Sequence, residues 1–387
     1  MITNGFTYLS TLVLFVAIVL WLQKYTKSKF FDYVPPVVII YFGSALLFTF
    51  GIVGKSDEVT LYYKMSKANL LPPMLLLMLL RCDLRQIARL GRRMLIGFFC
   101  AMFSIMAGFI ITFAILKNLY VADTWKAFAA LCGSWIGGTG NMVAVQTALD
   151  VSGEAFGYTL LMDSVNYGVW VMILLWTVSF AVKFNKWTKS DTSEIDQVGN
   201  ALEEVAAANA NPMQFTDMML LLGLSMFIGA IAIQAKDVLP ALGTVISGST
   251  WTVLIVSTVG ILLAMTPIAR IPGSSILGNV ALYIMVAVIA SQTNFSELTQ
   301  APLYIASGFI ILIIHALLMA LAAKIFKLDL FTCGVASLAN IGGVASAPIL
   351  AGAHSQALVP VGVLMALLGY ICGTYFALLT GQIMSLF

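Results

Sequence analysis

Successive apolar runs of about 20 residues, almost free of charge, constrain this chain more than any other feature. A helix rises about 1.5 Å per residue, so ~20 residues cross the ~30 Å hydrocarbon layer of a bilayer. The runs lie at roughly 6–22, 35–53, 68–80, 94–116, 126–148 and 157–182, then at 214–235, 250–268, 276–291, 302–323, 329–352 and 357–384. Charged residues make up 10% of the 387 and hydrophobic residues 60%, whereas a soluble domain carries roughly 25% charged residues. Most of the surface therefore meets lipid, and the expected fold class is an all-α integral membrane protein. The first run is followed rather than preceded by positive charge and has no small-residue exit, so it is expected to stay as a span. The five cysteines lie in or beside apolar runs without disulfide or metal spacing. His315 and His354 are too few and too far apart in sequence for a metal site.

Positive charge orients the spans, because Lys and Arg collect on the cytoplasmic side. The clusters are Lys24/Lys27/Lys29, Arg81/Arg85/Arg89/Arg92/Arg93, Lys183/Lys186/Lys189 and Lys324/Lys327, with Arg270 as a weaker marker. The arginine cluster reads as topogenic charge near anionic lipid, with attraction of a substrate as its functional alternative. If all twelve runs crossed, the later clusters would fall opposite the first two. Segment 126–148 removes the conflict if it dips in and returns. It carries Gly133, Gly137, Gly138 and Gly140, which break a helix at its middle. The expectation is about ten crossing helices plus two glycine-broken hairpins or discontinuous helices, with both chain ends outside.

The second broken segment is 329–352, with Asn340-Ile341-Gly342-Gly343-Val344-Ala345-Ser346-Ala347-Pro348. Ile136-Gly137-Gly138 and Ile341-Gly342-Gly343 correspond, about 205 residues apart. Each follows a helix with Gly-Phe-Ile-Ile, at Gly108 and Gly308, and each precedes a Leu-Met pair with a later tyrosine, Tyr167 and Tyr370. The chain thus reads as a first repeat over 1–182, a polar linker over 183–213 and a second repeat over 214–387. Five crossings per copy is odd, so the second copy is inverted, a common plan of secondary transporters.

Unwound backbone inside a membrane is costly unless it lines protein or a watery cavity. A break exposes carbonyls that suit a cation at one half-helix end, and amides that suit a carboxylate at the other. The candidate substrate and ion site comprises Ser134, Gly137, Gly138, Thr139, Asn141, Asp163, Asn166, Asn340, Gly342, Gly343 and Ser346. Na⁺ is expected at Thr139, Asn141, Asp163 and Asn340, which offer hard oxygen ligands. The small and hydroxyl residues also suit close helix packing. Asp163 is an ionisable group within a span, which marks function by default; its structural alternative is an acid near a helix end. Asn166, three residues on, shares its face.

The Trp135–Asn141 segment, the Asn340–Pro348 segment and the helix bearing Asp163 resemble the YjcL-like family of uncharacterised bacterial membrane proteins, along essentially the whole chain. That family is similar in plan to sodium/glutamate symporters, and more distantly to the bile-acid/sodium symporter and cation/proton antiporter group. The resemblance implies inverted repeats, a scaffold that forms a homodimer, and a mobile body holding the broken helices that moves as an elevator. The glycine breaks match this plan; the paired acids of the antiporters have no counterpart beside Asp163.

The expected function is secondary active transport, Na⁺- or H⁺-coupled, of a small polar solute such as an organic anion, amino acid or short peptide. The alternative is a cation/proton antiporter. A membrane-embedded enzyme would need a nucleophile, base or metal constellation that the sequence does not offer, and a channel does not need two glycine breaks. Partners are lipid and a small solute, with no nucleic acid and no cofactor beyond the coupling ion. The location is a bacterial cytoplasmic (inner) membrane.

Overall fold

The computed structural model describes residues 1–26, 31, 36–190, 212–235, 237–242, 245, 246, 248–291, 301–355 and 358–387. Lys27, Lys29 and the acidic part of the linker lie outside the described residues. The described chain is helical throughout, with two isolated bridges, Ile2–Val53 and Leu242–Ile246. Its longer helices are α1 (Gly5–Thr26), α2 (Pro36–Thr49), α3 (Asp57–Leu79), α4 (Gly91–Leu116), α5 (Thr124–Gly137), α6 (Thr139–Ala148) and α7 (Gly153–Thr177). They continue as α8 (Phe215–Ala235), α9 (Gly248–Ala264), α10 (Ser274–Ala290), α11 (Ala301–Phe326), α12 (Leu330–Ile341), α13 (Gly343–His354) and α14 (Val359–Met384). Among the described residues, 6 helical stretches are long and apolar enough to cross a membrane.

Two boundaries differ from the hydropathy reading. Helix α3 begins at Asp57, well before the run at 68–80. The Ser56 hydroxyl caps it by accepting from the Val59 amide at 3.1 Å, and Asp57 and Glu58 sit in its first turn, where the helix dipole favours acids. Lys64 and Lys67 on this first half lower its hydropathy without stopping the helix. The boundary placed between 182 and 183 falls inside a short helix, Ala181–Thr188, that prolongs α7.

The helices pack as two groups. In one, α3 and α10 lie against each other, with α8 and α9 on α3 and with α1 and α2 on α10. Gly229 of α8 faces the Pro72-Pro73 pair of α3, where a Cβ would stand 3.0 Å from Pro72. In the other group, α4 packs on α11 and α12, and α14 packs on α5 and α13. A buried polar chain ties this second group together. The Ser104 hydroxyl meets His315 Nδ1 at 2.7 Å, His315 Nε2 meets the Ser337 hydroxyl at 2.8 Å, and Trp170 Nε1 donates to that hydroxyl at 2.9 Å. Four helices are joined at hydrogen-bonded polar groups, which would be costly to leave unpaired in an apolar interior.

The groups meet mainly where α6 touches α3 and α9, and where α2 touches α7. Lys67 of α3 also bridges to Asp150 at 3.0 Å, but the Asp150 side chain is 88% exposed. An exposed pair contributes at most ~1 kcal/mol. Asp150→Asn is therefore expected to leave thermal unfolding within ~1 kcal/mol of wild type; a larger loss would show that this bridge clamps the groups.

Candidate functional site

Both glycine-rich segments are helices that fold back on themselves. A Cβ at Gly133 of α5 would stand 3.1 Å from the Asn141 carbonyl and 3.3 Å from Val145 of α6. In a straight helix those residues would lie about 12 and 18 Å away. A Cβ at Gly334 of α12 would likewise stand 3.2 Å from Leu350 of α13. The bases of the hairpins lie at opposite ends of the molecule. Hairpin one begins beside the start of α7, where Asp123, Asp150, Glu154 and Tyr304 line one cleft. Hairpin two begins beyond the far end of α7. There the Leu330 amide donates to Asn185 Oδ1 at 2.8 Å, and Phe331 meets the His354 ring at 5.2 Å.

The second glycine of each pair makes the turn. Gly138 has φ 82° and Gly343 has φ 60°, a region that side chains with a Cβ enter only at a cost. Gly137 answers a different demand: a Cβ there would lie 2.6 Å from both Asn141 Nδ2 and the Gly369 carbonyl. The turn leaves α6 with open amides. Asn141 and Met142 donate to the Gly138 carbonyl at 3.0 and 3.2 Å, and the amides of Thr139 and Gly140 have no backbone acceptor among the described residues. At the other half-helix ends, the Ile136 and Ala339 carbonyls both face Gly369 of α14.

Asp163 sits on α7 within reach of hairpin one. Its carboxylate accepts from the Ser134 hydroxyl at 3.1 Å and from Trp135 Nε1 at 2.9 Å. It is half-buried, ten residues into a helix that starts at Gly153, so it is not a helix-end acid. A carboxylate has about four lone-pair positions, and two donors leave capacity for a cation. One turn further along, Tyr167 reaches the other break: its ring carbon Cε2 would meet a Cβ at Gly342 at 2.7 Å. Tyr370 of α14 reciprocates, 3.2 Å from a Cβ at Gly138. Each tyrosine thus reaches the hairpin of the other half, and Tyr370 also lies 3.9 Å from a Cβ at Gly343 in its own half.

The remaining expected residues divide. Asn141 Nδ2 donates to the Tyr370 carbonyl at 2.9 Å, tying hairpin one to α14. Asn340 Nδ2 donates to the Ala336 carbonyl at 2.8 Å. Its Oδ1 is buried without a partner among the described residues, which is costly, while the Ser346 hydroxyl lies within hydrogen-bonding reach of Tyr167 on α7. Asn166 lies elsewhere. It shares a face with Asp163 only loosely, and its Nδ2 donates to the Ile305 carbonyl at 3.1 Å, so it joins α7 to α11 beside Gly308.

A cavity of ≈ 320 Å³ separates the hairpin tips from the α3/α10 pair. Thr139 and Gly140 of hairpin one and Val344 of hairpin two form one wall. Arg81, just past the end of α3, and Ser275, Asn279 and Tyr283 of α10 form the other. Ser275, Asn279 and Tyr283 were not singled out from the sequence, and Arg81 entered only as a member of the arginine cluster. Asn279 left a signal, an amide inside an apolar run. Arg81 was hidden in a cluster whose other members have a plain topogenic reading. The loop that carries it is braced by Asp83, which accepts from Arg85 Nε and Nη2 at 3.0 Å each. Those bonds hold the Asp83 carboxyl below the usual carboxylate range.

Fold and site together define a polytopic helical membrane protein with two glycine-broken hairpins that face one cavity. Over residues 10–387 the chain matches the family described as Protein of unknown function (DUF819), and it belongs to that family. It is also similar to the Uncharacterized membrane protein YjcL of Bacillus subtilis (strain 168), 25% identical over 368 residues covering 90% of each chain.

Proposed function

We propose that this protein is a secondary active transporter, coupled to Na⁺ or H⁺, that carries a small polar solute. The observation that bears most weight is the meeting of two hairpins from opposite ends of the molecule beside a single cavity. Broken helices of this kind present bare amides and carbonyls where a solute and its coupling ion can both be held. Asp163, with the oxygens of Thr139, Asn141 and Asn340, is the proposed cation locus. The group formed by α4–α7 and α11–α14 is the moving body, and α1–α3 with α8–α10 the scaffold, in an elevator-type cycle. The thin contact between the groups supports that division. Cation/proton antiport alone would leave the Arg81 cavity without a role.

In this reading ten helices cross the membrane as two inverted copies, α1–α7 and α8–α14. Support comes from the ends. At the base of hairpin two, Lys324 bonds the Trp187 carbonyl, and Thr332 reaches Met94 at the start of α4. The basic clusters therefore gather at that end. Asp123, Asp150 and Glu154 mark the other end. Single cysteines test it in intact cells. Lys186→Cys is expected to label only after the membrane is opened, and Glu154→Cys to label from outside. Labelling of Lys186→Cys from outside would overturn the inverted arrangement.

Function is tested by thermal unfolding of the purified protein in sodium against choline. A ligand that prefers the native state stabilises it by RT ln(1 + [L]/Kd), about 2.7 kcal/mol at a hundredfold excess over Kd. A saturable rise specific to sodium supports Na⁺ coupling. A response to pH alone supports H⁺ coupling. Indifference to both would overturn the coupled-transport reading.

A further inference from the structure

Building on the transporter reading, we infer that the cavity between the hairpin tips and α3/α10 binds a small carboxylate that carries no ammonium group. This narrows the solute to an organic acid and away from amino acids and peptides.

The charge of the walls decides the class. Arg81 is the ionisable cation of the cavity and has no carboxylate partner among the described residues. The acid nearest to it in sequence, Asp83, is bound to Arg85. Asp163 is turned toward Ser134 and Trp135 and does not line the cavity. A guanidinium offers planar paired donors that match a carboxylate. Opposite it, Thr139 and Gly140 begin α6, and Val344 lies at the start of α13. Two helix N-termini thus border the same space, each with open amides and a positive dipole end. The hydroxyls of Thr139, Ser275 and Tyr283 and the Asn279 amide supply further hydrogen bonds.

The same walls disfavour a zwitterion. An α-ammonium needs a carboxylate or several free carbonyls, because a charge taken out of water without a partner is costly. Among the described residues no carboxylate lines the cavity. The half-helix carbonyl ends that could serve, at Ile136 and Ala339, face Gly369 instead. A volume of ≈ 320 Å³ lies at the small end for ligand pockets and suits a short organic acid better than a peptide.

The test compares 2-oxoglutarate with glutamate, two probes of one length that differ in the ammonium group, with acetate and succinate alongside. Binding to the purified full-length protein is measured in sodium by equilibrium dialysis of labelled probe. The expected result is that at least one of the three ammonium-free acids binds, and that 2-oxoglutarate binds at least about tenfold more tightly than glutamate. Arg81→Gln is expected to weaken acid binding by at least about tenfold, since a charged hydrogen bond is lost. Arg89→Gln, in the same cluster but outside the cavity, should leave it unchanged. Arg81 is exposed, so its loss should not unfold the protein; Asn279→Ala gives a second reading of the same wall and should also weaken binding.

The inference is overturned if none of the three acids binds, if glutamate binds as well as 2-oxoglutarate, or if Arg81→Gln binds like wild type. Uptake into proteoliposomes is scored separately. Arg81-dependent binding of an acid with no uptake would support the carboxylate site and refute the transporter reading. Sodium-driven uptake that prefers glutamate would do the reverse.

Discussion

Replacing Asp163 by Asn is expected to erase the sodium-dependent stabilisation and to reduce coupled uptake by at least about tenfold. Two effects combine. The variant loses the formal charge that would hold a cation beside the first glycine break. It also loses an acceptor. In the native site both carboxylate oxygens are used, one by the Ser134 hydroxyl and one by Trp135 Nε1. An amide has one acceptor oxygen, and the indole N–H can only donate. That oxygen must then serve Trp135 while the Ser134 hydroxyl turns to accept from the NH₂ group, so two charge-assisted bonds become neutral ones, each weaker by about 1 kcal/mol. Stability without sodium should therefore fall modestly, while the increment given by sodium should vanish. Thermal unfolding across a sodium titration separates the two terms. A variant that keeps the wild-type sodium increment would remove Asp163 from the cation locus.

Gly369→Ala is the substitution expected to damage the fold most. Gly369 of α14 lies where the carbonyl ends of α5 and α12 converge. A methyl there would run into the Ile136 carbonyl, and it would stand 3.4 Å from the Ala339 carbonyl. The obstacle is backbone at a helix end, which cannot rotate away, so α14 must separate from α5. Overpacking of this kind costs typically about 1–3 kcal/mol and occasionally more. Gly168→Ala on α7 is the matched control. Nothing lies within 4 Å of the Cβ it would gain, and Gly to Ala in a helix interior is worth up to ~1 kcal/mol in the variant's favour. The apparent melting temperature should drop for the first variant and hold or rise for the second. Equal behaviour would mean that α14 does not pack on the breaks as described.

Much of this arrangement was legible in the residues because it rests on backbone chemistry. A glycine pair in the middle of an apolar run can hardly sit in an uninterrupted helix, and Gly138 and Gly343 make the turns. An acid within a span is conspicuous, and Asp163 reaches the first break. Tyr167 and Tyr370 were visible as markers of an internal correspondence, but nothing in their spacing said that each would lie on the opposite hairpin. That depends on how α7 and α14 cross the tips. Asn166 has a different neighbour from Asp163 for a geometric reason: three residues turn a helix about 300°, and on α7 the difference of about 60° separates a neighbour in hairpin one from a neighbour in α11. Arg81 was hidden because basic residues after a span have a ready explanation in topology. Only the packing of α3 against α10 sets this arginine apart from the other four.

The crossed tyrosines have a consequence for the chain as an object with two halves. Neither half has a finished interior of its own. The break of the first is covered by Tyr370 of the second, and the break of the second by Tyr167 of the first together with Tyr370. A half made alone would present a bare turn, with unpaired amides, to lipid. Two halves supplied as separate polypeptides could complete each other, whereas the first half alone lacks Tyr370 and the second alone lacks Tyr167 and Asp163. The two halves of the chain are complementary parts, each completed only in the presence of the other.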